Sequence, residues 1–543
     1  MARLFPTLTA TRLQATTYLL GIALFSISFL VFLNSSISFV VTEVIGQKER
    51  VGDAVGTLGF ADELLALVSC PFFGLLSDRI GVRNVAVIGY CIVAFSLVCL
   101  VQSTNVYPEL LLGRLGFSFG GAACSTMVTA VLPTMLADRK TAEDQESTTR
   151  SGHTDNDDGA GTSAGTSQLA GLVGFFTGAG ALVALAIFLP LPAHLQDDGF
   201  GQAESVQVSY YIVALVALCV AIFIFVGLRN LPGEEKKSIA ALLQPPYDET
   251  TTVGVDGNPH IILSPAPSYL SLAKESFTLG FTDPTIGLGY LGGFVARASS
   301  VGISLFIPLF VNAYFVRTGL CTSNPDNLTD IKKNCQRAYK LAAALTGFGE
   351  LAALICAPLF GWIGGRAAKS RSEWPLLVAS GVGIVGYVSF GLLKNPDAFH
   401  GDGGQWAFLS VILVGISQIG AIVCSLALLG RGVNQAHRSV PVALPHGEQQ
   451  SGEEGAPLLR RASRAMAPAI DRSRLSGSIA GMYSFAGGVG ILILTKAGGA
   501  LFDSWHTGAP FFLMAIFNGM LALAIVLIGG GSLVLRKQEI PSS

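Results

Sequence analysis

The residues of this chain best placed to do chemistry are ionisable groups set inside long apolar stretches. Asp62 and Glu63 interrupt an apolar run over 55–77, Arg114 one over 108–136, and Glu350 one over 339–362. A charge in such surroundings is costly unless it faces a partner or a water-filled cavity, so each is a functional candidate. Burial and a nearby cation act in opposite senses on a carboxylate's proton affinity, so such a group can exchange a proton as its surroundings change. Glu63 and Glu350 are therefore candidate proton-coupling groups. Asp62 is a third, turned about 100° away from Glu63 on a helix. Arg114 carries a rigid fork that suits either a neighbouring carboxylate or an anionic substrate group. A structural role, bridging to backbone carbonyls, is its alternative. Arg297 and Lys496 fall close to the ends of their runs, where snorkelling to the interface accounts for both.

Enzyme chemistry has no foothold. There is no nucleotide-binding loop, no metal-ligand spacing and no nucleophile with its base, so neither cofactor nor metal is expected. Seven of the nine cysteines, at 70, 91, 99, 124, 219, 356 and 424, lie in apolar runs, and only Cys321 and Cys335 sit in a polar segment.

The elements that must position these groups follow from composition. Of 543 residues, 51% are hydrophobic and 13% charged, against about 25% charged in soluble domains. Apolar runs near 18–41, 55–77, 84–102, 108–136, 168–190, 209–228, 291–316, 339–362, 375–393, 406–429, 477–500 and 509–533 are long enough to span a bilayer. Backbone groups there must be satisfied internally, so each run is a helix. The expected organisation is an all-α polytopic membrane protein. It has a short N-terminal segment (1–17), a six-helix bundle (18–228) with an acidic insertion at 137–167, a central segment (229–290), a second bundle (291–533) with an insertion at 430–476, and a tail (534–543).

Orientation follows from Lys and Arg, which favour cytoplasmic loops. With both termini cytoplasmic, the inner segments hold 23 of the 34 basic residues and the outer loops 8. This places the sequon Asn327-Leu328-Thr329 outside, where glycans are added. Cys321 and Cys335 would meet oxidising conditions there and could close a loop; a bare sequon and two free thiols are equally expected. The net charge of −2 gives no field for nucleic acid. The three long inner segments have compositions that cannot build a core, so disorder is expected with amphipathic helices at most, such as residues 269–277.

An offset of 287 residues superposes the second span on the eighth: Glu63 on Glu350, Pro71 on Pro358, Gly74 on Gly361 and Arg79 on Arg366. Two halves related by a parallel repeat are a transporter plan with the substrate site near the midplane between them. Residues 74–83 carry this to a family. Gly74, Leu76, Asp78, Arg79, Gly81 and Arg83 resemble the G-x-L-x-D-R-x-G-R-[RK] signature of the major facilitator superfamily, with Val82 in place of one arginine. Arg114 and Gly120 resemble its R-x-x-x-G-x-G pattern in the fourth span, with Ser118 for the first glycine. The fifth span has Gly171, Gly174, Gly178 and Gly180 without the Gly-Pro pair of the antiporter signature.

The resemblance implies two six-helix bundles related by a pseudo-twofold repeat, with spans 1, 4, 7 and 10 around a central cavity. Asn34 and Asn312 then become substrate-contact candidates beside Arg114. It also implies a gating latch in which Gly74, Asp78, Arg79, Gly81 and Arg83 close the cytoplasmic side, with Asp138 as the acidic partner of Arg83. Gly365 stands where the second half would need the aspartate.

Two address signals lie in the 430–476 insertion. Glu454 with Leu458 and Leu459 resembles a dileucine signal read by sorting adaptors, favouring a vacuolar or lysosomal membrane over the plasma membrane. Ser463 follows two arginines, and phosphate there would add negative charge beside the signal; an ordinary positive-inside cluster is the alternative. The expectation is a monomeric, proton-coupled secondary active transporter of a small molecule, whose partners are the bilayer, its substrate, protons and a sorting adaptor. A transporter-like sensor without flux and an uncoupled facilitator are the rivals.

Overall fold

The computed structural model describes residues 10–47, 51–136, 157–232, 247–253, 259–265, 268–319, 336–369, 373–397, 404–435 and 475–538, with Glu234, Lys237, Ser238 and Leu242. Asp138, Cys321, Asn327, Cys335, Glu454, Leu458, Leu459 and Ser463 lie outside these residues.

Twelve helices among the described residues are long and apolar enough to cross a membrane. Helices 1 to 6 are Arg12–Val44, Ala54–Ile80, Val82–Gln102, Val106–Thr134, Ser163–Asp197 and Gln202–Gly227. Helices 7 to 12 are Pro284–Arg317, Lys340–Ala368, Trp374–Gly391, Gln405–Asn434, Ser476–Ser504 and Ala509–Ile528. The chain is a multi-pass membrane protein. Successive helices alternate in direction, so the start of helix 1 and the end of helix 12 fall at one end of the bundle, called here the terminus side.

Helices 1 and 7 start earlier than their apolar runs, and polar caps explain both. Thr11 and Gln14 form a capping box ahead of helix 1, and Gln14 Nε2 also donates to the carbonyls of Arg229 and Asn230 at 2.7 and 3.2 Å. Asp283 accepts from the backbone N–H groups of Thr285 and Ile286, and Pro284 follows at the first helical position, where its missing N–H costs nothing. Helix 7 therefore begins seven residues before its apolar run.

The central segment departs from expectation. Tyr247–Val253 and Pro259–Pro265 pair as an antiparallel hairpin, Tyr247 opposite Pro265; strand was not among the structures expected there. The linker helix runs over Tyr269–Thr282, longer than the expected 269–277. Its Leu272, Ser276 and Leu279 are buried, while Leu270 and Phe281 are exposed.

Repeat symmetry extends into the packing. Buried Tyr90 of helix 3 donates its hydroxyl to the Gly21 and Ile22 carbonyls of helix 1 at 3.0 and 3.2 Å. Buried Tyr387 of helix 9 meets Ser299 of helix 7, which is the corresponding pair of helices. Wide π turns likewise recur in repeat-related helices: Thr17–Leu24 in helix 1 with Gly302–Phe306 in helix 7, and Ala184–Phe188 in helix 5 with Leu494–Gly498 in helix 11.

The halves meet mainly through helix 2 on helix 11 and helix 5 on helix 8. Near the terminus side these crossings run backbone to backbone. A Cβ on Gly74 would lie 2.9 Å from Gly481 Cα, and one on Gly171 would lie 2.7 Å from Gly361 Cα. Gly74 and Gly361 are the repeat-matched pair. Toward the opposite end, Gly56 and Gly59 of helix 2 and Gly347 of helix 8 have nothing within 4 Å of a Cβ. The bundle is closed at the terminus side.

Candidate functional site

Two groups of polar residues stand between the halves, one on each repeat. In the first half, helix 4 carries Arg114, which is 5% exposed, and a buried guanidinium needs a counter-charge. Asp62 of helix 2 supplies it by an ion pair with Arg114 Nε. Arg114 Nη2 also donates to Asn34 Oδ1 of helix 1 at 2.6 Å. Ser118, one turn further on, donates to the Asp62 carbonyl at 2.9 Å. The hydroxyl at the position where the superfamily pattern has glycine thus ties helix 4 to helix 2.

Glu63 points away from this pair, as the 100° step on a helix requires. The cations that act on it are Arg297 of helix 7 and Arg114. Arg297 is the residue that sequence reasoning assigned wrongly. Because helix 7 starts at Pro284, Arg297 lies about 20 Å inside the helix and not at its inner end. Its stem packs where a Cβ on Gly487 of helix 11 would fall. Snorkelling therefore does not describe it: the arginine of one half faces the carboxylate of the other. Lys496 Nζ sits 4.0 Å from the ring centroid of Phe60, again joining the two halves.

In the second half Glu350 of helix 8 is exposed, and Gln418 of helix 10 lies beside it. Gln418 Nε2 donates to Ser300 Oγ of helix 7 at 3.0 Å. Asn312, the other expected substrate contact, is 4% exposed and stands about 18 Å beyond Ser300 along helix 7. A cavity of about 480 Å³ at the opposite end, bordered by Arg317, Lys394, Trp505, His506 and Phe512, is separate from both groups.

The loop between helices 2 and 3 ties the terminus side. Asp78 caps helix 11: its carboxylate accepts from the backbone N–H of Gly477 and of Ser478, each at 2.7 Å, and from the Ser478 hydroxyl. A carboxylate at a helix N-terminus meets unpaired N–H groups and the positive end of the dipole. Gly81 turns the chain at φ +91°, a conformation that disfavours other residues. The central segment grips the same loop. Glu234 accepts from Val82 N–H at 3.0 Å and pairs with Lys237 at 3.5 Å, and Lys237 in turn acts electrostatically on Asp78. Arg79 lies over the Tyr269 ring at 4.8 Å, and Arg83 over the Phe225 ring of helix 6 at 5.2 Å. Gly365, at the position equivalent to Asp78, packs against Ala164 and Gln168 of helix 5. The corner of the second half instead holds an ion pair between Arg431 of helix 10 and Glu373 before helix 9, at 2.9 Å.

Twelve spans, two repeated bundles and charged groups between them define a polytopic membrane protein of the two-bundle type. The chain belongs to the Major Facilitator Superfamily, whose family profile matches residues 24–444. Among curated proteins it resembles the magnetosome protein MamZ of Magnetospirillum gryphiswaldense, with 22% identity over 470 residues covering 86% of this chain and 54% of that one. The chain thus spans about half the length of the curated relative it matches. Among solved structures it resembles the human organic anion transporter MFSD10 (TM-score 0.53, 12% identity, 95% of this chain and 99% of that one). It also resembles the proton:xylose symporter XylE (0.55, 13%, 94% of each) and the Escherichia coli fucose:proton symporter FucP (0.51, 12%, 93% and 98%). At these identities the likeness establishes the fold.

Proposed function

We propose that this chain is a secondary active transporter that carries a small molecule across a membrane by alternating access, coupled to protons through Glu63 and Glu350. The observation that carries the reading is the place of Arg297, which packs on Gly487 of helix 11 within electrostatic reach of Glu63 in the other half. Any rocking of one half against the other changes the cations around that carboxylate, and so its hold on a proton. The positive-inside distribution of Lys and Arg makes the terminus side cytoplasmic, so the state described is outward-open. Asp78 on helix 11 is then the latch that holds the cytoplasmic side closed. By the dileucine signal at Glu454, Leu458 and Leu459, the membrane is vacuolar or lysosomal.

The test is flux in proteoliposomes holding the purified chain under an imposed pH gradient, with a mixed metabolite library followed by mass spectrometry. The expected result is accumulation of at least one compound that collapses with a protonophore. In the double variant Glu63→Gln, Glu350→Gln the pH gradient should no longer drive accumulation. Normal pH-driven accumulation by that variant would remove the coupling assignment. Ligand binding with no movement into sealed vesicles would favour a sensor, and movement that ignores the gradient a facilitator.

A further inference from the structure

Helices 2 and 8 bring the same stripe of residues to the interface between the halves, and the two copies end differently. On helix 2 the stripe is covered by helix 11 as far as Phe60, beyond which Gly59 and Gly56 have nothing within 4 Å of a Cβ. Gly481 lies against Cys70 and Pro71, Gly488 against Leu67, and Lys496 over Phe60. On helix 8 the stripe of Gly361, Ala357 and Leu354 packs on Gly171, Gly174 and Gly178 of helix 5, and there the cover stops. Gly347 occupies the position equivalent to Phe60 at the 287-residue offset and has nothing within 4 Å of a Cβ. Glu350, one turn from Leu354, is exposed beside that space.

The charges differ in the same sense. Arg297 and Arg114 both act on Glu63, whereas among the described residues no cation acts on Glu350. Around Glu350 stand acceptors in want of donors. Gln418 is 5% exposed, and with its Nε2 committed to Ser300 its buried Oε1 has no hydrogen-bond partner among the described residues. The same holds for Thr346 Oγ1, one turn before Glu350 on helix 8. An open approach, a carboxylate without a resident cation and two unpaired buried oxygens match one chemical group: an ammonium, with one positive charge and several N–H donors.

We infer that Glu350, Gln418 and Thr346 form the subsite for the protonated amino group of an organic amine, with the gap at Gly347 leaving room for its carbon skeleton. This rests on the transport reading and deepens it by naming the cargo class. It also separates the two glutamates: Glu63 lies under the field of Arg297 across the interface and of Arg114 in its own half, and Glu350 is offered to the cargo.

Binding to the purified full chain in detergent tests the subsite without a membrane. Phenethylamine, tryptamine and cadaverine are titrated, each beside its N-acetylated form (the diacetyl form for cadaverine), with thermal unfolding and calorimetry as readouts. At least one amine is expected to bind and its acetylated form not to. Glu350→Gln and Gln418→Met should each weaken that binding at least about tenfold, the loss of a charge-assisted hydrogen bond. Glu350→Asp, which keeps the charge, should retain most of it and shows that the position tolerates change. The subsite is overturned if no amine binds, if amine and acetylated form bind alike, or if folded Glu350→Gln binds as the parent does. Amine binding without flux in sealed vesicles would sink the transport reading and leave the subsite standing. Flux of a cargo lacking an amine, with no amine bound, would do the reverse.

Discussion

At the scale of single residues, the pairing of Arg114 with Asp62 decides what the first half tolerates. Both side chains are largely buried, at 6% and 14% exposure, so each charge depends on the other for compensation. Removing one partner leaves an uncompensated charge, which costs about 3–5 kcal/mol in buried pairs. Arg114→Met should therefore destabilise the protein by that order, and Asp62→Asn alone should do likewise. The double variant should cost clearly less than the two single changes together, because it leaves no orphaned charge. Thermal melts of the four proteins in one detergent give the cycle; strict additivity would mean that the pair does not act as a unit. The sequence already placed Asp62, Glu63 and Arg114 in spans as candidates, since a charge in an apolar run is visible without a structure. It did not tell which carboxylate belongs to the arginine. Adjacent residues on a helix differ only in direction, and direction has meaning only once neighbouring helices are in place. Arg297 was missed for a different reason: a helix start built from Asp283 and Pro284 is polar, so a hydropathy reading begins helix 7 too late and leaves the arginine at its edge.

At the scale of elements, the segment joining the two halves is more than a tether. Glu234 occupies the N-terminus of helix 3, Lys237 acts on the Asp78 carboxylate, and the linker helix lays Tyr269 on Arg79. All of these contacts fall on the loop whose Asp78 caps helix 11, so the linker and the cap stabilise the same closed arrangement. A contact present in one state only shifts the balance of states by its own free energy. Asp78→Asn, which keeps the shape but loses the charge, should open the terminus side most, because three donors face that carboxylate. Glu234→Gln with Tyr269→Ala should open it less, since the stacking of the buried Arg79 on the Tyr269 ring is worth about 0.5–2 kcal/mol. Spin-label distances between the terminus-side ends of helices 2 and 11 would show a longer population growing in that order. If the linker variants leave the distribution unchanged, the central segment does not bias the closed state. Little of this was legible beforehand. The composition of 229–290 pointed to disorder, and the clamp depends on partners far apart in the chain, such as Glu234 and Val82, where local propensity is silent.

At the scale of the whole molecule, the repeat supplies a symmetry that separates what closes the bundle from what it carries. Gly74 and Gly361 superpose at the offset that also relates Glu63 and Glu350. Each glycine lets its helix meet the other half backbone to backbone, on Gly477 and Gly481 in one case and Gly171 in the other. Closure at the terminus side is thus built from two like crossings, and a side chain in either should hold it open. Gly74→Leu and Gly361→Leu should therefore give the same result: a structure trapped open at the terminus side, with flux lost and both halves still folded. The glutamates should not behave alike, since Glu63 faces Arg297 of the opposite half and Glu350 faces open space. Glu63→Gln should relax coupling and leave amine binding in place, whereas Glu350→Gln should weaken that binding at least about tenfold. Accessibility of single cysteines from each side of a vesicle, compared across these four variants, reads both statements at once. Matched glycine variants with divergent glutamate variants is the expected pattern. Divergence between the two glycines would mean that one crossing alone gates the molecule, and that the second half only follows.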